Sequence, residues 1–299
     1  MMIEVKNLAK RFEDTQALDG LNINVKKGAV YGLVGPNGAG KTTAIRHIAG
    51  IYREDSGEVL IDGTPVWENP EIKGRIAYIP DDIFFFMQAS VKDMSKFYGG
   101  FYPGFDMQRY GKLKEVFEFD EKRPMRRLSK GMQKQAAFWL ALSARPEVLI
   151  LDEPVDGLDP VMRRRVWSLV MADAAEYGTT VLVSSHNLRE LEDVCDHVGI
   201  MNAGKILIER GLSEMQGNTV KLQIAMPDGA GLPEGLEILH QSCLGKLTTL
   251  IVRGTPEDVT NTVATASPLF ADVIPLSLEE IFIYELEGAD YAVKDIILQ

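Results

Sequence analysis

Gly35-Pro36-Asn37-Gly38-Ala39-Gly40-Lys41-Thr42-Thr43 is the stretch from which this chain is best read. It fits G-x-x-x-x-G-K-[ST], the pattern of a phosphate-binding loop. An apolar run, Val30 to Val34, precedes it and is long enough for a buried strand. Thr42 to Ala49 reads as the first turns of a helix, with Gly50 as its stop. The glycines therefore fall where a strand turns into a helix. They let successive backbone N–H groups curl inward toward phosphate oxygens. The helix N-terminus adds partial positive charge at the same place. In such a loop Lys41 reaches the β- and γ-phosphates and the Thr42 hydroxyl ligates Mg²⁺.

The rest of the composition is compatible with that ligand. The chain has 299 residues, 45% hydrophobic and 25% charged, which is ordinary for one or two globular domains. Its formal net charge is −11, with 43 acidic against 32 basic residues. A phosphate backbone needs a basic face, so nucleic acid is not the expected partner. A single nucleotide is still accommodated, because a loop binds phosphate through amides and one lysine. Cys195 and Cys243 form no metal or redox motif and read as reduced, buried thiols of a cytosolic chain. The N-terminus alternates like a strand and has no signal-peptide pattern. No apolar run approaches the roughly 18–20 residues of a membrane helix.

Before the loop, Ile3 and Val5, then Leu21, Ile23 and Val25, alternate as half-exposed antiparallel strands. Phe12 lies between them, as a hairpin or core aromatic or as a flat ring for a base to stack on. After the loop, Val59-Leu60-Ile61 followed by Asp62-Gly63 is a strand and turn, and Ile76 to Ile79 is a strand closed by Pro80. From there to about residue 145 the periodicity is helical. Ser90 caps a segment carrying Val91, Met94, Phe97 and Tyr98, and Asp106 caps one carrying Tyr110, Leu113 and Phe117. Phe84-Phe85-Phe86 opens this helical insertion; three adjacent aromatics read first as core, and alternatively as an exposed contact patch.

Leu128-Ser129-Lys130-Gly131-Met132-Gln133 then leads into a long helix capped by Ser129; by itself this reads first as an ordinary capped helix, and alternatively as an N-terminus where the small Gly131 lets an anion approach. Val148 to Leu151 is an unbroken apolar run, the pattern of a strand buried on both faces of a parallel sheet. It ends in Asp152-Glu153-Pro154. Carboxylates at the carboxyl end of a central strand sit where such sheets bind ligands. Asp152 is a candidate for Mg²⁺ and Glu153 for general base on an attacking water. Asp159 and Pro160 open a helix that stops at Gly178. Thr180 to Val183 is the next buried strand. It ends in Ser184-Ser185-His186, where His186 is a candidate contact for a terminal phosphate. Asn187 is expected to cap a helix carrying Leu188, Leu191, Val194 and Val198, before a strand pair turns at Ala203-Gly204.

From about residue 217 the chemistry stops. Strands are expected around Val220–Met226 and Leu247–Val252, and Thr255–Asp258 and Ser277–Glu280 read as capping boxes of two helices. The expected layout is residues 1–212 with a helical subdomain at about 82–145, a small α+β domain at 217–288, and a tail at 289–299.

Together these residues resemble the nucleotide-binding subunit of an ABC transporter over about residues 1–212. Gly35–Thr42 resembles its Walker A loop, Val148–Glu153 its Walker B strand with the catalytic glutamate, and Leu128–Met132 its signature motif. Gly157–Pro160 resembles the D-loop and His186 the switch histidine. Phe12 matches the aromatic that stacks on adenine, and Ala17 the small residue beside it. The resemblance implies an α/β P-loop NTPase (RecA-like) core, an antiparallel β subdomain and an inserted helical subdomain. It implies ATP and Mg²⁺ as ligands, and a composite site closed by a second nucleotide-binding subunit, either another copy or a paralogue. Ser129 and Gly131 would then bind the γ-phosphate of the opposite subunit's nucleotide. A separate membrane permease is the implied partner, at the inner face of the membrane. Signatures reading Leu-Ser-Lys-Gly-Met with a small C-terminal domain resemble those of bacterial exporters of drugs, peptides or antibiotics.

Two positions depart from the family pattern. Asp81 stands where a glutamine is usual; a carboxylate there can take Mg²⁺ or orient water, but adds negative charge beside the phosphates. The signature has Lys130 and Met132 in place of glycine and glutamine. Two alternatives follow: a regulatory subunit that binds ATP with little or no hydrolysis, or a soluble ABC ATPase not coupled to transport.

Overall fold

The computed structural model describes residues 1–86, 88–211, 219–227, 230–276 and Glu280. These group into two compact units: Met1–His186 with Val194–Glu209, and Asn187–Asp193 with the described residues from Arg210 onward.

In the first unit, β1 (Ile3–Phe12) and β2 (Thr15–Val25) form an antiparallel hairpin with Ile3 opposite Val25. With β4 (Ser56–Ile61) and β5 (Thr64–Pro65) they make a four-stranded sheet in the order β2-β1-β4-β5. Asp62 and Gly63 both take positive φ (52° and 73°), as a tight two-residue turn requires. The alternating residues Ile3, Val5, Leu21, Ile23 and Val25 turn one face of this sheet into the core.

The phosphate loop belongs to a second sheet. Its strands are β3 (Val30–Val34), β6 (Ile76–Ile79), β7 (Val148–Asp152), β8 (Thr180–Ser185), β9 (His197–Asn202) and β10 (Lys205–Gly211), six in the order β10-β9-β3-β8-β7-β6. β3 pairs in parallel with β8 and β9, and β7 with β6 and β8. Every residue of β3, β7 and β8 is buried, as their unbroken apolar runs require. Parallel pairing in register, Val34 with Ser185 and Asp152 with Ser184, brings the carboxyl ends of the three strands together. Helix α1 (Lys41–Ile48) follows the loop and buries Ala44, Ile45 and Ile48 in one core with residues of both sheets.

A one-turn helix, α2 (Pro70–Lys73), capped by Asn69, precedes β6, and the helical insertion is α3 (Val91–Phe101), α4 (Met107–Phe117) and α5 (Lys130–Ser143). Helix begins at Val91, where the expected Ser90 cap puts it. Ser90 fixes that start with a reciprocal capping box to Asp93. The core reading of the three phenylalanines is corrected: Phe84 is 82% exposed and Phe86 52%. Phe86 meets Phe97 edge to face at 5.2 Å, and Phe97 meets Phe101 at 5.0 Å, so they form a ridge of largely exposed rings. Trp139 of α5 joins the insertion together. It stacks on Tyr110 at 4.7 Å, packs against Phe117 at 6.0 Å and donates its indole N–H to the Tyr110 carbonyl at 2.8 Å.

Asp106 caps α4 by accepting from the N–H groups of Gln108 and Arg109 at 2.9 Å each. The Arg109 N–H bond, aided by the Arg145 guanidinium, holds its carboxyl below the usual range against the opposing effect of burial. A lowered folded value means stabilisation present above the unfolded value of about 3.9 and lost as pH falls through the folded one. Asp106→Ala is therefore expected to lower stability by about 1 kcal/mol at pH 7. Paired thermal melts of the variant and the parent should converge as the pH falls below about 4; a gap that stayed constant would refute the capping role.

Helix α6 (Pro160–Tyr177) starts at its Asp159 cap and ends at Gly178, φ 68°. The helix predicted from Leu188 to Val198 does not form. Leu188–Glu190 is one 3-10 turn, with Asn187 accepting from the Arg189 N–H, and Val198 lies inside β9. Val198 to Met201 are all buried and pair beside β3, so burial in the sheet overrides a helical spacing.

In the second unit, β11 (Thr219–Ala225), β12 (Glu237–Leu244), β13 (Leu247–Arg253) and β14 (Phe270–Pro275) form an antiparallel sheet in the order β12-β13-β11-β14. Helix α7 (Pro256–Ala264), capped by Thr255, buries Val259 and Val263 in a core with Leu222, Ile224, Leu250 and Val252. β12 and β14 were missed from sequence, and Cys243, expected to be buried, is exposed on β12, whereas Cys195 is buried as expected. The Ser277–Glu280 capping box, apart from Glu280 itself, and the tail at 289–299 lie outside the described residues.

Candidate functional site

The loop after β3 is shaped by glycine. Gly38 and Gly40 take φ 84° and 104°, and a Cβ on Gly40 would lie 2.7 Å from the Ala17 carbonyl oxygen. A Cβ on Gly35 would lie 2.2 Å from the Met201 carbonyl oxygen, so only glycine fits there. Ala17 thus borders the loop, while Pro36, Asn37, Ala39 and Thr43 continue it around the start of α1. Lys41 is 6% exposed. Its Nζ donates to the carbonyls of Gly35 (2.6 Å) and Pro36 (3.3 Å) and pairs with Glu153 Oε1 at 3.3 Å.

Three strand ends converge on that lysine. The Thr42 hydroxyl donates to Asp152 Oδ1 at 3.2 Å, and Ser184 Oγ donates to the same oxygen at 2.6 Å. Asp152 Oδ2 is buried and has no hydrogen-bond partner. Burial pushes the Asp152 carboxyl up, opposed by the bonds from Ser184 and Thr42 and reinforced by the charges of Glu153 and Asp81. A buried carboxylate oxygen without a donor, beside a threonine hydroxyl, is a set of hard oxygens suited to a divalent cation. The residues fit Mg²⁺.

Glu153 has φ 45°, a left-handed conformation that for a non-glycine residue is strained by about 1–3 kcal/mol. It is held there on every side. Its N–H donates to Ser184 Oγ at 3.1 Å, and Oε2 accepts from the His186 backbone N–H at 3.2 Å. His186 Nδ1 lies 2.9 Å from the same oxygen. A carboxylate only accepts, so Nδ1 carries the proton in that bond. Glu153, Asp156 and His186 present ligand atoms within 4.8 Å of one another.

The other candidates fall around this cluster. Phe12 is 40% exposed near the hairpin turn, edge-on to Tyr52 at 5.5 Å and with Lys10 Nζ over its ring 5.6 Å from the centroid. Ser129 caps α5 through the Met132 N–H at 3.3 Å. A Cβ on Gly131 would meet the Gly157 carbonyl oxygen at 2.9 Å. Among the described residues, neither Ser129 nor Gly131 hydrogen-bonds to the phosphate loop. Asp81 turns to Lys134, 3.4 Å away, with more than half its side chain exposed. Sequence reasoning missed Lys134 and Ser184. Lys134 was detectable: it stands three, four and seven residues before Ala137, Phe138 and Ala141 on the buried face of α5, where an ammonium needs partners.

A glycine loop between strand and helix, facing an Asp-Glu pair across a parallel sheet, defines a P-loop NTPase. The family model for ABC transporters matches residues 18–156. The chain is 31% identical to the ABC transporter ATP-binding protein YtrB of Bacillus subtilis (strain 168), across 96% of this chain and 99% of that one. It is 35% identical to the bacitracin transport ATP-binding protein BcrA of Bacillus licheniformis, across 70% and 69%. A solved ATP-binding subunit of an ABC transporter aligns with a TM-score of 0.67 at 27% identity, over 72% of this chain and 92% of that one. The chain belongs to the ABC transporter family as an ATP-binding subunit, an ATPase. Another solved relative, cbiO1 from Clostridium perfringens, is part of the ABC transporter complex cbiONQ and aligns with a TM-score of 0.60 at 29% identity, over 71% of this chain and 89% of that one. No helix among the described residues is long and apolar enough to cross a membrane.

Proposed function

We propose that this chain hydrolyses ATP with Glu153 as general base and powers a separate exporter permease from the cytoplasmic face of the membrane. The observation that carries the catalytic part is the single cluster of Lys41, Thr42, Asp152, Glu153 and His186 at the strand ends. Lys41 and the loop amides bind the phosphates, and Phe12, beside Ala17, stacks on adenine. Thr42 and Asp152, with Asp81 nearby, would hold Mg²⁺, which supplies charge neutralisation on the phosphates. Glu153 takes the proton of the attacking water, and His186 holds its carboxylate in place. Phosphate release by the purified full chain tests this, with Glu153→Gln as the control.

Ser129 and Gly131 are read as closing the site of a second cassette, and the simplest pair is two copies of this chain. Gly131→Ala is expected to shift the start of α5 away from Gly157, because its Cβ would sit 2.9 Å from that carbonyl oxygen. Turnover should fall by about 10²-fold, as a displacement on the order of 1 Å at a reacting centre does, while ATP affinity of the single chain is kept. Equal losses in both would move Gly131 out of the trans role.

For the permease, a groove of about 710 Å³ lined in part by Ile51, Lys73, Tyr78 and Phe101 runs beside the exposed Phe ridge. We read the ridge, together with the exposed Phe84, as part of that contact. Charged substitutions there should uncouple ATPase activity from the permease without touching nucleotide binding. The export direction draws on the Leu128-Ser129-Lys130-Gly131-Met132 signature together with a small C-terminal domain, which resemble those of bacterial exporters. Cells lacking the chain should become more sensitive to the exported compound. The boundaries 1–212, 217–288 and 289–299 are retained as the proposed domain layout.

A further inference from the structure

We propose that Lys134 is a positioning residue for Glu153, and that it makes a carboxylate at position 81 compatible with this site. Lys134 lies in the first turns of α5 and is 7% exposed. A buried ammonium persists only with acceptors around it. Lys134 has two: the main-chain oxygen of Glu153 at 2.7 Å and Asp81 Oδ1 at 3.4 Å. The first fixes the one polar group of Glu153 that its other partners leave free. The N–H is held by Ser184, and the carboxylate by Lys41 and His186. With both ends of its peptide unit tied, Glu153 keeps the left-handed backbone that aims its carboxylate at Lys41. The second contact offsets the negative charge of Asp81, which otherwise adds to that of Asp152 and Glu153. Asp81 and Lys134 are thus a matched pair, and the altered residue at 81 is read together with the lysine that faces it. Because α5 begins at the signature motif, the same lysine ties the position of that helix to the general base.

The inference rests on Glu153 being the base, and its test separates the two claims. Glu153-Pro154 is the sole Glu-Pro step in the sequence. Carbonyl-¹³C glutamate with ¹⁵N proline therefore marks the Glu153 carbonyl alone in the full chain. In Lys134→Met, which keeps the apolar stem, this signal should move upfield as its hydrogen bond is lost, without any nucleotide present. Turnover should fall by about 10–100-fold, with KM for ATP changed by less than about threefold. Asp81→Asn should cost less in the Lys134→Met background than alone, since the two share one interaction. An unmoved carbonyl signal, an unchanged kcat or strictly additive losses would overturn the proposal while leaving Glu153→Gln inactive. Wild-type turnover in Glu153→Gln would instead remove the base assignment and this proposal with it. Lys134→Gln is the second variant if Lys134→Met does not fold; failure of both to fold would make the lysine structural rather than positioning.

Discussion

Glu153→Gln is expected to slow steady-state ATP hydrolysis by about 10²–10⁴-fold, the usual contribution of a general base. The substitution keeps size and shape and removes only the proton acceptor. It also converts the 3.3 Å ion pair with Lys41 into a neutral contact, so ATP binding should be retained or strengthened. The carboxylate is preorganised: one oxygen accepts from both the backbone N–H and the ring of His186, and the backbone is pinned by Ser184. The gain of a base comes from such fixed geometry as much as from basicity. Phosphate release at saturating ATP is the check. A rate within twofold of the parent would mean that another group takes the proton.

Lys41→Ala is expected to lower ATP affinity by about 10–150-fold, the equivalent of one hydrogen bond to a charged group. Its Nζ is buried and held by the carbonyls of Gly35 and Pro36, so the charge is aimed inside the loop before any nucleotide arrives. Removing it also leaves Glu153 without its cationic partner. Equilibrium titration with ATP in the absence of turnover measures the loss directly. Affinity within twofold of the parent would show that the loop amides bind the triphosphate unaided.

Much of this site was legible in the sequence because its residues obey local rules. Gly35 and Gly40 mark backbone that leaves no room for a side chain, and Val148–Leu151 marks a strand buried on both faces. Asp152, Glu153 and His186 then follow from being next after such strands. What was not legible depended on contacts across the chain. Lys134 reaches a carbonyl nineteen residues away and a carboxylate 53 residues away, and no local pattern names either partner. The failed helix after Asn187 shows the same limit. Leu188, Leu191, Val194 and Val198 have helical spacing, yet Val198 finds a better place beside β3. The phenylalanines at 84–86 misled for the opposite reason: composition says core, whereas the chain leaves Phe84 and Phe86 outside it.

The central claim is that ATP joins two copies of this chain through Walker A of one and Ser129 and Gly131 of the other. The solution mass of the Glu153→Gln variant, with and without Mg-ATP, tests it most directly. A doubling of mass on adding Mg-ATP, reversed when the nucleotide is removed, is the predicted result. A variant that binds ATP to saturation yet stays monomeric would contradict it.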